Sequence, residues 1–489
     1  NESRGVAGLT RGVRSCAVDG RVFALFAIAP MSFPAPDPSS TQSASPGSTH
    51  SPARLPGNSN PILPGYFADP SIVHFDGREY VFATNDPWGG ETLGCWESAD
   101  FKNWTYRELN WPTKSLCRTD RSSGAMVWAP SVVRASDGRF YIYVSVGSEV
   151  WAGVADHPLG PWRDLCDGRP LIPFDYKPGY HMIDAEAFID DDGAAYLYWG
   201  SGFEWINGRC WAVRLKADMH SFDGEPVDVT PRNYFEAPFM TKHGGRYYLM
   251  YSNGVTISDT YQIHYAVGDS PLGPFAEASN SPVLATDRGK DIVSPGHHAV
   301  FARGGRSYIL YHRHSVPFDA RFIGRQVCVD EMIFSGDGLI VRVQPTHEGP
   351  ALVRRPDDGR INHRARMTAS SQRDEFSAPD HAVDLNFATR WSAAPDDPRP
   401  WLQMDLGETR DVSRQALRFE YAWRAYPFRI ESSPDGETWT VLADFSKAPE
   451  SGSPVVVQQP GRARHLRLAF TGNNGEPTAA VFDWAVYGA

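Results

Sequence analysis

The chain has 489 residues, more than one hydrophobic core supports, since single cores stop growing near ~250–300 residues. Aromatics make up 12% of it, with 44 Gly and 39 Pro, a balance that argues against a helical bundle and for an all-β protein with many turns. The net charge of −11 comes without a long basic run, which argues against a nucleic-acid partner, and no run of ~18 apolar residues is present to span a membrane.

Residues 1–60 read as a disordered segment and linker. Within them, RVFALFAIAPMS at 21–32 resembles the core of a short signal peptide with basic residues upstream. The stretch 34–60 is rich in Ser, Pro, Thr and Gly. The expectation is export, to the periplasm or outside the cell. Six cysteines (Cys16, Cys95, Cys117, Cys166, Cys210 and Cys328) form no CxxC or CxxxH pattern, so a zinc site is not expected. Cys95 and Cys117 are a candidate disulfide in an exported protein, and buried free thiols are the equal alternative.

Between 61 and 345, five segments share one pattern. They are DPSIVHFDGREYVFAT from Asp69, APSVVRASDGRFYIYVSV from Ala129, DAEAFIDDDGAAYLYWGS from Asp184, EAPFMTKHGGRYYLMYSNG from Glu236 and HHAVFARGGRSYILYHRH from His297. Each opens with alternating side chains, turns at Asp-Gly or Gly-Gly and returns through an aromatic-rich strand, the strongest short hairpin signal. HPLGPW from His157 and SPLGPF from Ser270 repeat late in two of the units. Five such units predict a five-bladed β-propeller. Equivalent positions in a propeller face its axis, so the first residues of the segments, Asp69, Ala129 (after Trp128), Asp184, Glu236 and His297, are expected to converge. Carboxylates gathered in an apolar interior are costly unless paired or used. The stretches 88–128 and 202–208 are expected to be insertions that wall a pocket.

Residues 346–365 read as a joint. From 366 to 489 short strands alternate with turn residues, as in WLQMDLGE, FRIESSPDGETWTVLADF and ARHLRLAFT, and predict an antiparallel β-sandwich. Trp391, Trp401 and Trp439 are expected in its core. Each part is expected to fold alone, so that truncation near Arg360 leaves the function of the five-unit part nearly unchanged.

The motifs ADPS (68–71), WAPS (128–131), IDAEAFIDDDG (183–193), FEAPF (235–239), PGHHAVF (295–301) and GRQVCVD (324–330) together resemble glycoside hydrolase family 43 over residues 61–345. Two departures are Ala185, where the family often has proline, and EAP where many members have EGP. The resemblance implies Asp69 as general base, Glu236 as general acid and Asp184 as the group that orients the acid and raises its pKa. It implies that Arg325 touches substrate and that His297 reaches, through water, an axial metal ion, usually calcium. The motifs DLNFATRWSA (384–393), WLQMDLG (401–407) and SPDGETW (433–439) resemble a discoidin-type domain like carbohydrate-binding module family 32. That likeness implies a glycan-binding role and a second calcium near Asp384.

Inverting hydrolysis of a glycoside needs an acid for the leaving oxygen and a base for water on the opposite face, ~6.5–9.5 Å apart. The expected activity is exo-acting removal of a terminal α-L-arabinofuranosyl unit from a polysaccharide or oligosaccharide. A β-xylosidase or galactofuranosidase is the near alternative, and a non-catalytic glycan-binding propeller the distant one. Retention of all three carboxylates counts against the last. Trp128 is equally a stacking platform for a sugar and a core residue. Asp190, Asp191 and Asp192 are read as a solvated turn rather than a metal cluster.

Overall fold

The computed structural model describes residues 59–489 other than 321, 356–357, 473–478 and 489. The expectations for the signal-like stretch, Cys16 and nearly all of the linker lie outside the described residues. Among the described residues there is no α-helix, only two short 3-10 turns, and no helix is long and apolar enough to cross a membrane.

Five sheets are antiparallel meanders in chain order, four of them four-stranded and the last three-stranded. Their inner strands are Phe67–Phe75, Val127–Arg134, Glu186–Ile189, Glu236–His243 and Gly296–Arg303. Each turns directly into a second strand: Arg78–Asn85, Phe140–Val146, Ala195–Trp199, Arg246–Asn253 and Arg306–His314. The hairpin glycines Gly77, Gly138, Gly193, Gly245 and Gly305 all have φ between 72° and 85°, a conformation a Cβ would strain. These are the blades of a propeller.

What holds the ring together is apolar packing between neighbours. One cluster joins Phe82 and Leu93 of blade I to Phe140 and Ile142 of blade II. Others join Tyr143 to Leu197, Tyr198 to Leu249, and Met250 to Ile309. The last cluster closes the circle, with Phe67 and Val81 of blade I against Leu310 and Val327 of blade V. The chain before blade I reinforces this closure. Ile62 N–H donates to the Val327 carbonyl, while the Asn60 side chain donates to the Val329 carbonyl and accepts from its N–H.

The stretch 88–128 is not an insertion. It is mostly the outer half of blade I, strands Thr92–Ser98 and Thr105–Thr113, joined by short loops, with a longer loop at 114–126. Its outer strands escaped notice because they lack the clean alternation of the inner hairpins. Cys95, Cys117, Cys210 and Cys328 are buried free thiols and Cys166 is a partly buried one, so Cys95 and Cys117 are not bridged.

The C-terminal part is a sandwich of a five-stranded and a four-stranded sheet. Trp391, Leu402, Phe428, Leu468 and Trp484 fill its core. Trp401 is only half-buried, and Trp439 lies under the Arg467 guanidinium at 4.0 Å rather than in the core. The sandwich does not hang on a tether. Ala422 is buried among Ile62, Leu63, Phe67 and Trp96 of the propeller, and Trp423 packs on Phe67 with ring centroids 5.5 Å apart. The Arg418 guanidinium donates to the Trp104 carbonyl at 3.0 Å. The two parts thus share a buried boundary.

Candidate active site

Where each inner strand begins, one residue takes a left-handed backbone: Asp69 (φ 51°), Ala129 (48°), Asp184 (56°), Ala237 (54°) and His297 (36°). None is glycine, so each costs of order 1–2 kcal/mol and must be held. The holding follows a rule. The N–H of each is accepted by a side chain from the preceding blade: Ala129 by Thr84, Asp184 by Ser145, His297 by Ser252 and Asp69 by His312 Nδ1. These acceptors occupy one repeat position, the fourth residue after Tyr80, Tyr141, Tyr248 and Tyr308. In blade III that position is Gly200, which has no side chain, and the Ala237 N–H donates instead to Asp184 Oδ2 at 3.2 Å. The missing hydroxyl thus ties Asp184 to the backbone next to Glu236.

The register places Ala237, not Glu236, in line with Asp69, Asp184 and His297. Glu236 aligns with Trp128, one residue earlier, in the regular pairing before the bulge. Glu236 still reaches the site, from a different angle. Tyr261 Oη donates to its Oε1 at 2.8 Å and Ser201 Oγ to its Oε2 at 3.1 Å.

Asp69 is buried at the centre. It accepts from Thr84 Oγ1 at 2.8 Å and from Arg325 Nη1 at 3.0 Å, and His297 Nδ1 lies 3.2 Å away. The same His297 nitrogen lies 3.8 Å from Asp184 Oδ2, so His297 bridges the two aspartates. Arg325 is clamped from behind by Asp86, which takes its backbone N–H at 2.8 Å and its Nη2 at 2.7 Å. The Trp88 ring covers the guanidinium at 5.5 Å. On the blade II side, Trp128 packs at 5.8 Å on His181, over which Phe203 of the 202–208 loop tilts at 5.0 Å.

The electrostatics separate the carboxyls. Burial pushes Asp69 up, but Arg325 and His297 pull it further down, leaving it well below the usual carboxylate range. Glu236 goes the other way. Burial, helped by the charge of Asp69 and opposed by its two hydroxyl donors, pushes it up to about 7. Asp184 is raised well above its ordinary value by burial and then by the charges of Glu236 and Asp69. Burial lowers His297, and the charge of Asp69 opposes that shift.

Every residue singled out in the propeller from sequence (Asp69, Trp128, Asp184, Glu236, His297 and Arg325) begins or adjoins an inner strand or, for Arg325, opens the last strand of blade V. Asp69, Asp184, His297 and Arg325 form one contact network, and the backbone beside Glu236 joins it through the Ala237 N–H, which Asp184 accepts. Asp190 is bound by Lys242 at 2.6 Å and Tyr247 at 2.6 Å, beside the exposed turn at Asp191 and Asp192. Asp384, in the sandwich, accepts from the Asn386 N–H and the Thr389 hydroxyl of its own loop. Sequence reasoning missed Asp86, Ser201, Tyr261 and His312. The repeat itself marked His312, since it stands where other blades carry Thr or Ser. Ser201 closes the third repeat segment, just after Gly200, and Tyr261 lies outside the repeats altogether.

The family model for glycosyl hydrolases family 43 matches residues 58–340, and that for the F5/8 type C domain matches residues 366–482. A protein named β-D-galactofuranosidase from Aspergillus niger is 34% identical over 308 residues, which span 59% of this chain and 86% of that one. An arabinoxylan arabinofuranohydrolase from Bacillus subtilis is 27% identical over 349 residues, 60% of this chain and 65% of that one. A solved structure described as a glycoside hydrolase superposes with a TM-score of 0.73 at 29% identity, covering 87% of this chain and 98% of the other.

Proposed function

The chain belongs to glycosyl hydrolases family 43, and from that premise we propose that it removes terminal furanosyl units, α-L-arabinofuranosyl first among them, by a single inverting displacement. The observation that carries the roles is the opposite displacement of two carboxyls sharing one site. Asp69, held ionised by Arg325 and His297, takes a proton from the water that attacks the anomeric carbon. Glu236, pushed up to about 7, keeps a proton for the departing glycosidic oxygen. The depth of Asp69 and Asp184, 2% and 5% exposed, supports action on a chain end rather than along a chain.

A specific observation favours a second furanoside. The Aspergillus relative is named for β-D-galactofuranosides. The β-D-galactofuranosyl and α-L-arabinofuranosyl rings carry the same arrangement of ring substituents and differ in the exocyclic arm, longer in galactofuranose. A site that grips the ring accepts both. The test is a panel of nitrophenyl α-L-arabinofuranoside, β-D-galactofuranoside and β-D-xylopyranoside, with kcat/KM for each. At least one furanoside should lead the xyloside by about tenfold or more. A leading xyloside would overturn the furanoside reading, and proton NMR of the first-formed sugar should show the inverted anomer.

Asp184 has a distinct signature. Two buried carboxyls release their last proton at a higher pH than one alone, because the first charge opposes the second. Asp184→Asn removes that charge, so Glu236 should lose its proton earlier and the basic limb of the pH–rate profile should move down. A basic limb that stays or rises would remove Asp184 from this role.

Calcium on the axis belongs to the same reading. Both ring nitrogens of His298 and Nε2 of His312 are buried without a hydrogen-bond partner, which suits a hydrated cation. His297 and His298 would hold its water shell, and its charge would help keep Asp69 ionised.

A further inference from the structure

We propose that the C-terminal sandwich is a brace for the general base, acting through the Asp86–Arg325 pair rather than only by binding glycan. The proposal rests on the reading of Asp69 as base. Two independent lines of contact run from the sandwich to that pair.

The first passes through Tyr66, fully buried three residues before Asp69. The sandwich supplies most of its cage: Phe482 at 5.7 Å, Tyr421 at 6.3 Å and the Arg390 guanidinium at 5.4 Å from the ring. Arg390 is itself fixed by Glu420 at 2.9 Å. The Tyr66 carbonyl then accepts the Asp86 N–H at 3.1 Å. Asp86 grips Arg325, and Arg325 grips Asp69.

The second line reaches the other side of Arg325. The next residue, Gln326, is buried, and its side-chain amide donates to the Phe387 carbonyl of the sandwich at 3.0 Å. The loop carrying Phe387 is held in turn. Arg355 stacks on its ring at 3.9 Å and donates to the Leu385 carbonyl at 3.0 Å, and Arg418 approaches the ring at 5.6 Å. Leu385 sits at φ 63°, a left-handed turn two residues before the Phe387 carbonyl that Gln326 binds.

A guanidinium and two carboxylates buried together are unforgiving of displacement, because the cost of an imperfectly paired charge is several times that of a lost surface contact. The sandwich borders this network from both ends, while the catalytic carboxyls take their hydrogen bonds from Thr84, Arg325, Tyr261, Ser201 and the Ala237 N–H, all of the propeller. Its role is positioning.

The test uses the full chain and a double-mutant cycle. Phe482→Leu, which loosens the Tyr66 cage from the sandwich side, should lower kcat about tenfold with KM changed less than about twofold. In an Arg325→Lys background the same change should have little further effect, because the route it acts through is already broken. Arg390→Lys, which keeps the charge but not the planar stacking on Tyr66, replaces Phe482→Leu should that variant not fold. An unchanged kcat in folded protein would overturn the brace, and so would an equal loss in both backgrounds. Full activity of Asp69→Asn would instead overturn the base assignment beneath it.

Discussion

Asp69→Asn should lower kcat by about 10³ while the protein remains folded. The amide cannot accept the proton of the attacking water, yet it keeps the size of the carboxylate, and its one oxygen can still accept from either Thr84 or Arg325, which bind different oxygens of Asp69. Arg325 does not become an orphan charge, because Asp86 continues to bind it through two nitrogens of the guanidinium and the backbone. The loss should therefore be chemical rather than structural, and circular dichroism with a thermal melt separates the two. It should also be insensitive to the leaving group, since base catalysis acts on the water and not on the aglycone. Turnover within a few-fold of the parent in clean, folded Asp69→Asn would reject the base.

Glu236→Gln should behave differently, and the difference identifies it. A glycan leaving group departs as a poor alkoxide unless protonated, so loss of the acid should cost about 10²–10⁴ in kcat on a natural glycoside. A dinitrophenyl glycoside departs without help, and on that substrate the loss should shrink by at least about tenfold. The basic limb of the pH–rate profile, set by Glu236 with a pKa pushed up to about 7, should disappear along with the carboxyl. An equal loss on both substrates would mean that Glu236 holds the site together rather than delivering a proton. The hydroxyls of Tyr261 and Ser201, each bound to one oxygen of Glu236, make Gln a conservative replacement, because its amide can still accept from one of them.

The propeller was legible in the sequence because its hairpins are local. Asp-Gly or Gly-Gly at Gly77, Gly138, Gly193, Gly245 and Gly305 fixes each turn, and the tyrosines that follow mark each second strand. The site was legible to within one residue. Motif alignment set Glu236 beside Asp69 and Asp184, whereas the bulge makes Ala237 their equivalent. A bulge adds a residue to one strand only, so pattern alone cannot say on which side of it a carboxylate falls. The outer strands of blade I were misread because neither burial nor alternation is regular at Thr105–Thr113. Nothing local announced the boundary with the sandwich. Tyr66 and Phe482, or Gln326 and Phe387, look like ordinary core residues of their own parts, and only the folded chain brings them together.

The belt of five left-handed residues has a meaning for how such a site changes over time. One backbone socket, with its N–H already tied to the neighbouring blade, holds Asp in two blades, Ala in two and His in one. The scaffold does not distinguish among them, since the conformational cost is met by the tie and not by the side chain. Ala129 and Ala237 are thus vacant sockets on the wall of a working pocket. A single codon change at either would present a new functional group on a backbone already shaped for it. Novelty of chemistry in this architecture needs no remodelled loop, only a different occupant.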